Sequence, residues 1–280
     1  MKMNRLILTI AAIAACVAAA AQTTQEEFKG RYERLVRNVG YGGVGVETLL
    51  DRWEEAFPDD AAVAVGRFNY YFAKAQRSEV VPKPGVRRWL GNQPTLTLKD
   101  SDGNDINYFE EYSYDEELFG KAMQVLEAQI AAQPNELRYH FLKITALTAY
   151  EKESPDMAAQ EIRGLIARHS ASPRPAWTLD GESADEEIFQ QGIGEYCYTF
   201  FITGSPQSYE YFREISELMT KLYPHNPVFI DNIGSYWQVA KENPKQAAKF
   251  YKKALKIDPD DYAAKRNLQI IEKQQAAGKK

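Results

Sequence analysis

The chain has 280 residues and a mass of 31.8 kDa, which is enough for one large domain or two ordinary ones. Hydrophobic residues make up 44% and charged residues 26%, a composition that excludes a wholly disordered chain, a collagen and a bundle of membrane-spanning helices. Two cysteines cannot hold together a disulfide scaffold of this length, and the formal net charge of -5 argues against a dedicated nucleic-acid-binding protein.

The N-terminal segment, residues 1–21, has the pattern of a secretory signal peptide. Lys2 and Arg5 provide a positive start, and the apolar run that follows them is too short to span a bilayer. Small residues end the segment, with Ala21 directly before the expected cleavage site. We therefore expect the chain to be exported.

A second interpretation of the same segment stays open, because the Ile-Ala-Ala sequence before Cys16 resembles the lipobox of bacterial lipoproteins. In that case Cys16 is lipidated and becomes the N-terminus of the processed chain. Against this, the residues after Cys16 are still apolar, whereas lipoproteins usually continue with a polar tether. We expect contact with a membrane only if Cys16 is lipidated.

The rest of the chain, residues 22–280, is predicted to form one all-α repeat domain. Apolar residues recur at helical spacing in successive segments, and Pro, Gly, Asn and Asp mark the turns between them. These patterns predict about five antiparallel helical hairpins and a last, polar helix at 262–275 that caps the stack. The predicted helices before the last hairpin run over 28–37, 46–57, a segment around 65–70, 114–133, 137–150, 156–169, 185–201 and 208–223.

Residues 77–113 interrupt this pattern and are predicted to form a small β-hairpin insertion between the helices of the second hairpin. Several prolines exclude a continuous helix, residues 95–98 alternate in polarity, and Gly103 supplies a turn before the chain returns over 106–109. A second insertion, residues 170–183, is predicted to be a loop.

The last hairpin, residues 226–261, carries the most specific pattern in the chain. Small, aromatic and proline residues follow one another there in a fixed order: Gly234, Trp237, Ala247, Tyr251, Ala254 and Pro259. This order resembles the tetratricopeptide repeat (TPR), a helix-turn-helix unit of about 34 residues. In such a unit, small residues let two helix backbones approach and aromatic rings fill the space between them.

The resemblance implies a TPR-like superhelix of antiparallel helical hairpins, similar to exported TPR proteins of Bacteroidetes. It also implies a non-enzymatic scaffold in the periplasm or cell envelope that binds a protein or peptide in its concave groove. In the family, residues of the first helix of each hairpin line that groove. By position, the resemblance indicates nine ligand-binding residues: Arg67, Tyr70, Tyr71, Tyr139, Lys143, Tyr150, Asn232, Ser235 and Gln238.

Three further expectations concern the ligand and the chemistry of the protein. Asp231 stands where the family's clamp for a C-terminal carboxylate has a lysine, so binding of chaperone tails is not expected. Carbohydrate binding is the alternative function, because clustered aromatic residues would line a groove that stacks on sugar rings. The sequence contains no catalytic constellation and no metal-ligand spacing, so we expect no enzymatic activity, no cofactor, no metal and no nucleic-acid partner.

Overall fold

The computed structural model of the protein describes residues 24–277. The signal peptide predicted over residues 1–21, including Cys16, lies outside the described residues. In the described part, the protein is mostly helical with a small β component, so the predicted all-α character is confirmed. Each helix between residues 24 and 277 is too short or too polar to cross a bilayer.

The bounds of the elements agree with the sequence-based prediction to within three residues wherever both ends of a helix were predicted. The helices are α1 (Gln25–Val39), α2 (Val46–Ala56), α3 (Ala61–Ala75), α4 (Glu116–Ala132), α5 (Leu137–Glu151), α6 (Asp156–His169), α7 (Glu186–Thr203), α8 (Pro206–Leu222), α9 (Pro227–Val239), α10 (Pro244–Ile257) and α11 (Tyr262–Ala277). The strands are β1 (Gln76–Pro84), β2 (Leu96–Lys99), β3 (Asp105–Tyr114), β4 (Thr178–Leu179) and β5 (Glu182–Ser183).

Local signals explain where the helices begin. The side chain of Thr24 caps α1 in a reciprocal pair with Glu27, which satisfies two backbone groups that the first turn leaves free. The helices α8, α9 and α10 each begin with a proline, whose fixed φ suits the first helical turn. Capping side chains precede these prolines, namely Ser205, Asn226 and Asn243.

The first of two compact units comprises residues 24–76 and 115–125. Its core lies where α1, α2 and α3 pack together, and it contains buried aromatic residues such as Trp53 together with Leu50. A Cβ at Gly66 would lie only 2.7 Å from a methyl carbon of Leu50, so the glycine lets α3 approach α2 closely.

The second unit comprises residues 77–114 and the described chain from Leu126 onward. The predicted β-hairpin is confirmed as β2 and β3, which pair antiparallel with Leu96 opposite Tyr108. The prediction was incomplete, because β1 joins β3 to make a three-stranded sheet in the order β1-β3-β2. Two prolines, at 82 and 84, lie in β1, and proline is tolerated there because β1 is an edge strand.

The segment 170–183 also differs from the prediction, because β4 and β5 form a short antiparallel pair within it. The buried carboxylate of Glu136, at the start of α5, fixes this pair to the helix. It accepts hydrogen bonds from the hydroxyl of Thr178 at 2.8 Å and from the backbone N–H groups of Asp180 and Gly181 at 2.9 and 3.0 Å. These long-range bonds have no local sequence signal.

The helices of the second unit pack in hairpins. The pairs are α5 with α6, α7 with α8, and α9 with α10, while α11 packs on α10. Between hairpins, α8 packs on α9, α7 also contacts α9, and α6 contacts α8. A Cβ at Gly234 would lie 2.6 Å from the ring of Tyr251, which confirms the predicted close approach of α9 and α10 at this glycine.

Candidate functional site

A groove of about 550 Å³ lies between α7 and α9. Each of these two helices is the first of its hairpin. The side-chain amide of Asn226, which caps the start of α9, donates a hydrogen bond of 2.8 Å to the side-chain oxygen of Gln190 on α7. The groove is lined by ten residues: Glu187, Gln190, Gln191, Gly194, Glu195, Tyr198, Asn226, Val228, Phe229 and Asn232.

The helical repeat explains why one face of α7 supplies so much of the lining. Glu187, Gln191, Gly194 and Tyr198 follow one another at steps of four, three and four residues, which places them on one side of a helix. The opposite side of α7 is buried and apolar, with Phe189, Ile193, Cys197 and Phe200 in the core.

Gly194 forms an open part of the groove wall. A Cβ built on it would meet no atom within 4 Å, so the space in front of α7 is free at this position. Gly192 is different, because a Cβ there would lie 2.4 Å from the ring of Phe141 on α5. Gly192 therefore allows α7 to pack closely on α5, whereas Gly194 widens the groove.

The groove is acidic. The exposed side chains of Glu187 and Glu195 are its only charged groups, and neither forms an ion pair in the described part of the chain. The Gln191 amide donates a hydrogen bond of 3.1 Å to the Glu187 carboxylate and has further capacity to donate and accept. A cationic ligand group would gain attraction here without first displacing a lysine or arginine.

One aromatic ring is presented to the groove. Tyr198 is 60% exposed, although Tyr196, two residues earlier on the same helix, is buried and donates its hydroxyl proton to the backbone oxygen of Phe141 at 2.7 Å. Exposed apolar surface continues on α9 at Val228. The groove thus combines an aromatic face, amides and carboxylates on two rigid helices.

The residues predicted on α3 have structural partners. Arg67 donates hydrogen bonds of 2.8 and 2.7 Å to the carboxylates of Asp51 and Glu54, and the Tyr70 hydroxyl donates to Glu47 at 2.9 Å. Tyr70 is buried in the core of the first unit, where its ring packs with the other core residues. Tyr71 packs beside the same core and is half-buried.

The residues predicted on α5 are similarly engaged. Tyr139 is 2% exposed, so its ring is buried in the structure rather than presented on a groove surface. The ammonium group of Lys143 pairs with the carboxylate of Glu161 at 2.8 Å and with that of Glu127 at 3.5 Å. The half-buried ring of Tyr150 packs at 5.8 Å from that of Tyr114.

The residues predicted on α9 are divided between two faces. Asn232 lines the groove. Ser235 and Gln238 instead contact the hydroxyl of Tyr251 on α10, at 3.3 and 2.6 Å, which fixes them within their own hairpin. Of the nine predicted residues, Asn232 alone is among the ten that line this groove.

The prediction missed the residues of α7 that face the groove. The spacing of Glu187, Gln191 and Tyr198 was a usable signal, since polar residues at helical steps mark the side opposite the apolar stripe. Exposure of Tyr198 rather than Tyr196 could not be read from the sequence, because it depends on where α5 packs.

A reactive thiol and a metal site are the other kinds of functional site considered in the described chain. The thiol of Cys197 is buried, and burial raises its pKa to about 12, so a reactive thiolate is strongly disfavoured. Between residues 24 and 277, no group of three or more histidine, cysteine or acidic side chains is arranged to hold a metal ion.

Comparisons with protein-family models, with curated proteins and with solved structures found no match to this chain. The geometry of the groove and the sequence patterns are therefore the basis for the proposals that follow.

Proposed function

We propose that the protein is an exported, TPR-like scaffold of the bacterial cell envelope that binds a basic peptide or protein segment in the groove between α7 and α9. The observation that carries the proposal is an acidic, amide-lined groove between the first helices of consecutive hairpins. Contact of first helix with first helix and of second with second is the packing expected of stacked helical repeats. The export part rests on the signal-peptide pattern of residues 1–21.

The chemistry of the groove suits a peptide. Amide side chains such as Gln191 and Asn232 can both donate to and accept from an extended backbone. Glu187 and Glu195 select lysine or arginine in the ligand, and the ring of Tyr198 offers rigid contact area at a low cost in conformational entropy.

Selection from a random peptide library displayed on phage tests this function. We expect the selected peptides to be enriched in lysine and arginine, and to lose about ten-fold in affinity for the E187Q/E195Q variant. The control E182Q/E272Q removes the same charge from exposed positions outside the groove and should bind as the wild type does. Failure to select any peptide, or equal loss in both variants, contradicts the proposal.

Carbohydrate binding is a second candidate, which the exposed ring of Tyr198 among amides and carboxylates specifically favours. Stacking on a sugar ring depends on the aromatic face and little on salt. Calorimetry with soluble glycans would support this candidate if binding is saturable, lost in Tyr198→Ala, and unchanged by added salt. A peptide ligand is distinguished by salt-sensitive binding that depends on Glu187 and Glu195.

A further inference from the structure

Helix α10 carries a stripe of lysines on its solvent side. Lys245, Lys249, Lys252 and Lys256 follow one another at steps of four, three and four residues, and Lys253 lies beside them; all five are exposed. At 100° per residue they fall within an arc of about 100°, opposite the side that buries Ala247, Tyr251 and Ala254. We call these five lysines the lysine face of α10.

Within residues 24–277, the lysines of this face are not paired with acidic side chains. Helix α10 contains no acidic residue, and none of its five lysines forms an ion pair in the described part of the chain. The neighbouring basic residues are paired, since Lys241 contacts Glu210 at 2.8 Å and Lys265 contacts Asp260 at 2.9 Å. A local charge of +5 therefore stands on one helix of a chain whose net charge is -5.

We propose that the lysine face of α10 is a docking surface for a membrane of anionic phospholipid. Charge complementarity carries the assignment, because clusters of four to eight lysines on an amphipathic helix attract anionic headgroups. The shape agrees with a flat partner, since the lysines follow one another along about 16 Å of one side of a helix.

A single-stranded nucleic acid fits this surface less well. Single strands bind on aromatic platforms. Phe250, at the edge of the stripe, is half-buried, and the Lys253 ammonium covers its ring at 5.3 Å. The surface is also distinct from the groove, because no residue of α10 lines it. It gives the chain a route to a membrane that does not need a lipid on Cys16.

Co-sedimentation of the purified full chain with vesicles tests the inference. The probe vesicles contain phosphatidylglycerol in phosphatidylcholine, and the reference vesicles are pure phosphatidylcholine. We expect a clear preference for the anionic vesicles at about 0.1 M salt that disappears at about 1 M, where the screening length falls from about 10 Å to about 3 Å. The K245Q/K249Q/K252Q/K256Q variant should lower the partition coefficient on anionic vesicles at least ~10-fold.

A matched control separates a local effect from loss of overall charge. The variant K29Q/R31Q/R34Q/R37Q removes four positive charges from exposed positions on α1 and should keep the wild-type preference. The inference is overturned if the α10 variant keeps that preference, if both variants lose it equally, or if double-stranded DNA binds at lower protein concentration than the anionic vesicles.

Discussion

At the scale of single residues, the second unit buries ionisable side chains whose pKa values burial shifts in favour of the neutral form. Asp231 is 6% exposed, and its Oδ1 atom has no hydrogen-bond partner in the described part of the chain. Burial, with a smaller contribution from the neighbouring Asp261, raises its pKa to about 7. Burial of His169, with a smaller effect of Arg174, lowers its pKa to about 4. Both groups therefore couple the folding free energy to pH, with opposite signs.

Replacement of Asp231 by Asn should stabilise the protein at high pH. Since the folded-state pKa is raised above the unfolded value near 4, the stability associated with Asp231 is present below pH 4 and is lost as pH rises to 7. Relative to wild type, Asp231→Asn should gain roughly 4 kcal/mol of unfolding free energy between pH 4 and pH 8. Urea unfolding of wild type and Asp231→Asn at pH 4 and pH 8 measures this difference in unfolding free energy.

The control for this prediction is Asp59→Asn, which removes an exposed carboxylate and should show the same difference from wild type at both pH values. A gain for Asp231→Asn that is identical at pH 4 and pH 8 would mean that the carboxyl group does not titrate as proposed.

The pH dependence of His169 has the opposite direction. Trp177 donates to its Nδ1 atom at 2.9 Å, so the ring is neutral with its proton on Nε2, facing the Tyr223 hydroxyl. Because the folded-state pKa is depressed, stability is complete above pH 6.5 and is lost as pH falls toward 4. Relative to His169→Gln, which keeps the opposite contribution of Asp231, wild type should lose about 2 kcal/mol of unfolding free energy between pH 7 and pH 5.

Thermal or urea unfolding at the two pH values checks the His169 prediction, with His225→Gln as a control at an exposed histidine. An equal pH dependence in wild type and His169→Gln would show that another group is responsible.

At the scale of elements, two glycines on the first helices of successive hairpins have opposite roles. Gly234 on α9 lies against the ring of Tyr251, whereas Gly194 on α7 faces open space. The sequence could predict the first, because the order of small and aromatic residues in the last hairpin indicates close approach of two helices there. It could not predict the second, since open space in front of a residue is a property of the packed neighbours.

Substitution of these two glycines by alanine should change stability in opposite directions. Gly234→Ala forces a Cβ to within 2.6 Å of the Tyr251 ring and should destabilise the protein by roughly 1–3 kcal/mol. Gly194→Ala meets no atom and replaces a poor helix former, so it should stabilise by about 0.5–1 kcal/mol. Urea denaturation measures the change in unfolding free energy for each variant. A change of the same sign in both variants would contradict the packing described here.

The contrast between local signals and packed neighbours also explains which parts of the structure could be predicted from the sequence. Helices were predictable from periodicity and caps, because those signals are local, as at Asn226 and Pro227. The β4–β5 pair was not, because it is held by Glu136, which is more than forty residues away in the chain. The site was only partly predictable: Asn232 followed from its place on a first helix, but Tyr139 occupies an equivalent place and is buried.

At the scale of the whole molecule, charge is unevenly distributed. The groove between α7 and α9 is acidic, with Glu187 and Glu195, while α10 presents five lysines. The net charge of -5 hides this contrast, since it sums over surfaces with opposite preferences. A basic peptide in the groove and an anionic surface at α10 are separate predictions with separate variants, so one can fail without the other.

The most direct test of the central claim is the equilibrium binding of a labelled library-selected basic peptide to wild type, Gly194→Trp and Gly164→Trp, measured by fluorescence anisotropy. Both glycines lie in helices with open space in front of them, so both variants should fold, but only Gly194 lines the groove. We predict that Gly194→Trp weakens binding at least ~10-fold, about 1.4 kcal/mol, while Gly164→Trp binds as wild type does. Unchanged binding in Gly194→Trp, or equal weakening in both variants, would contradict the assignment of the groove as the peptide site.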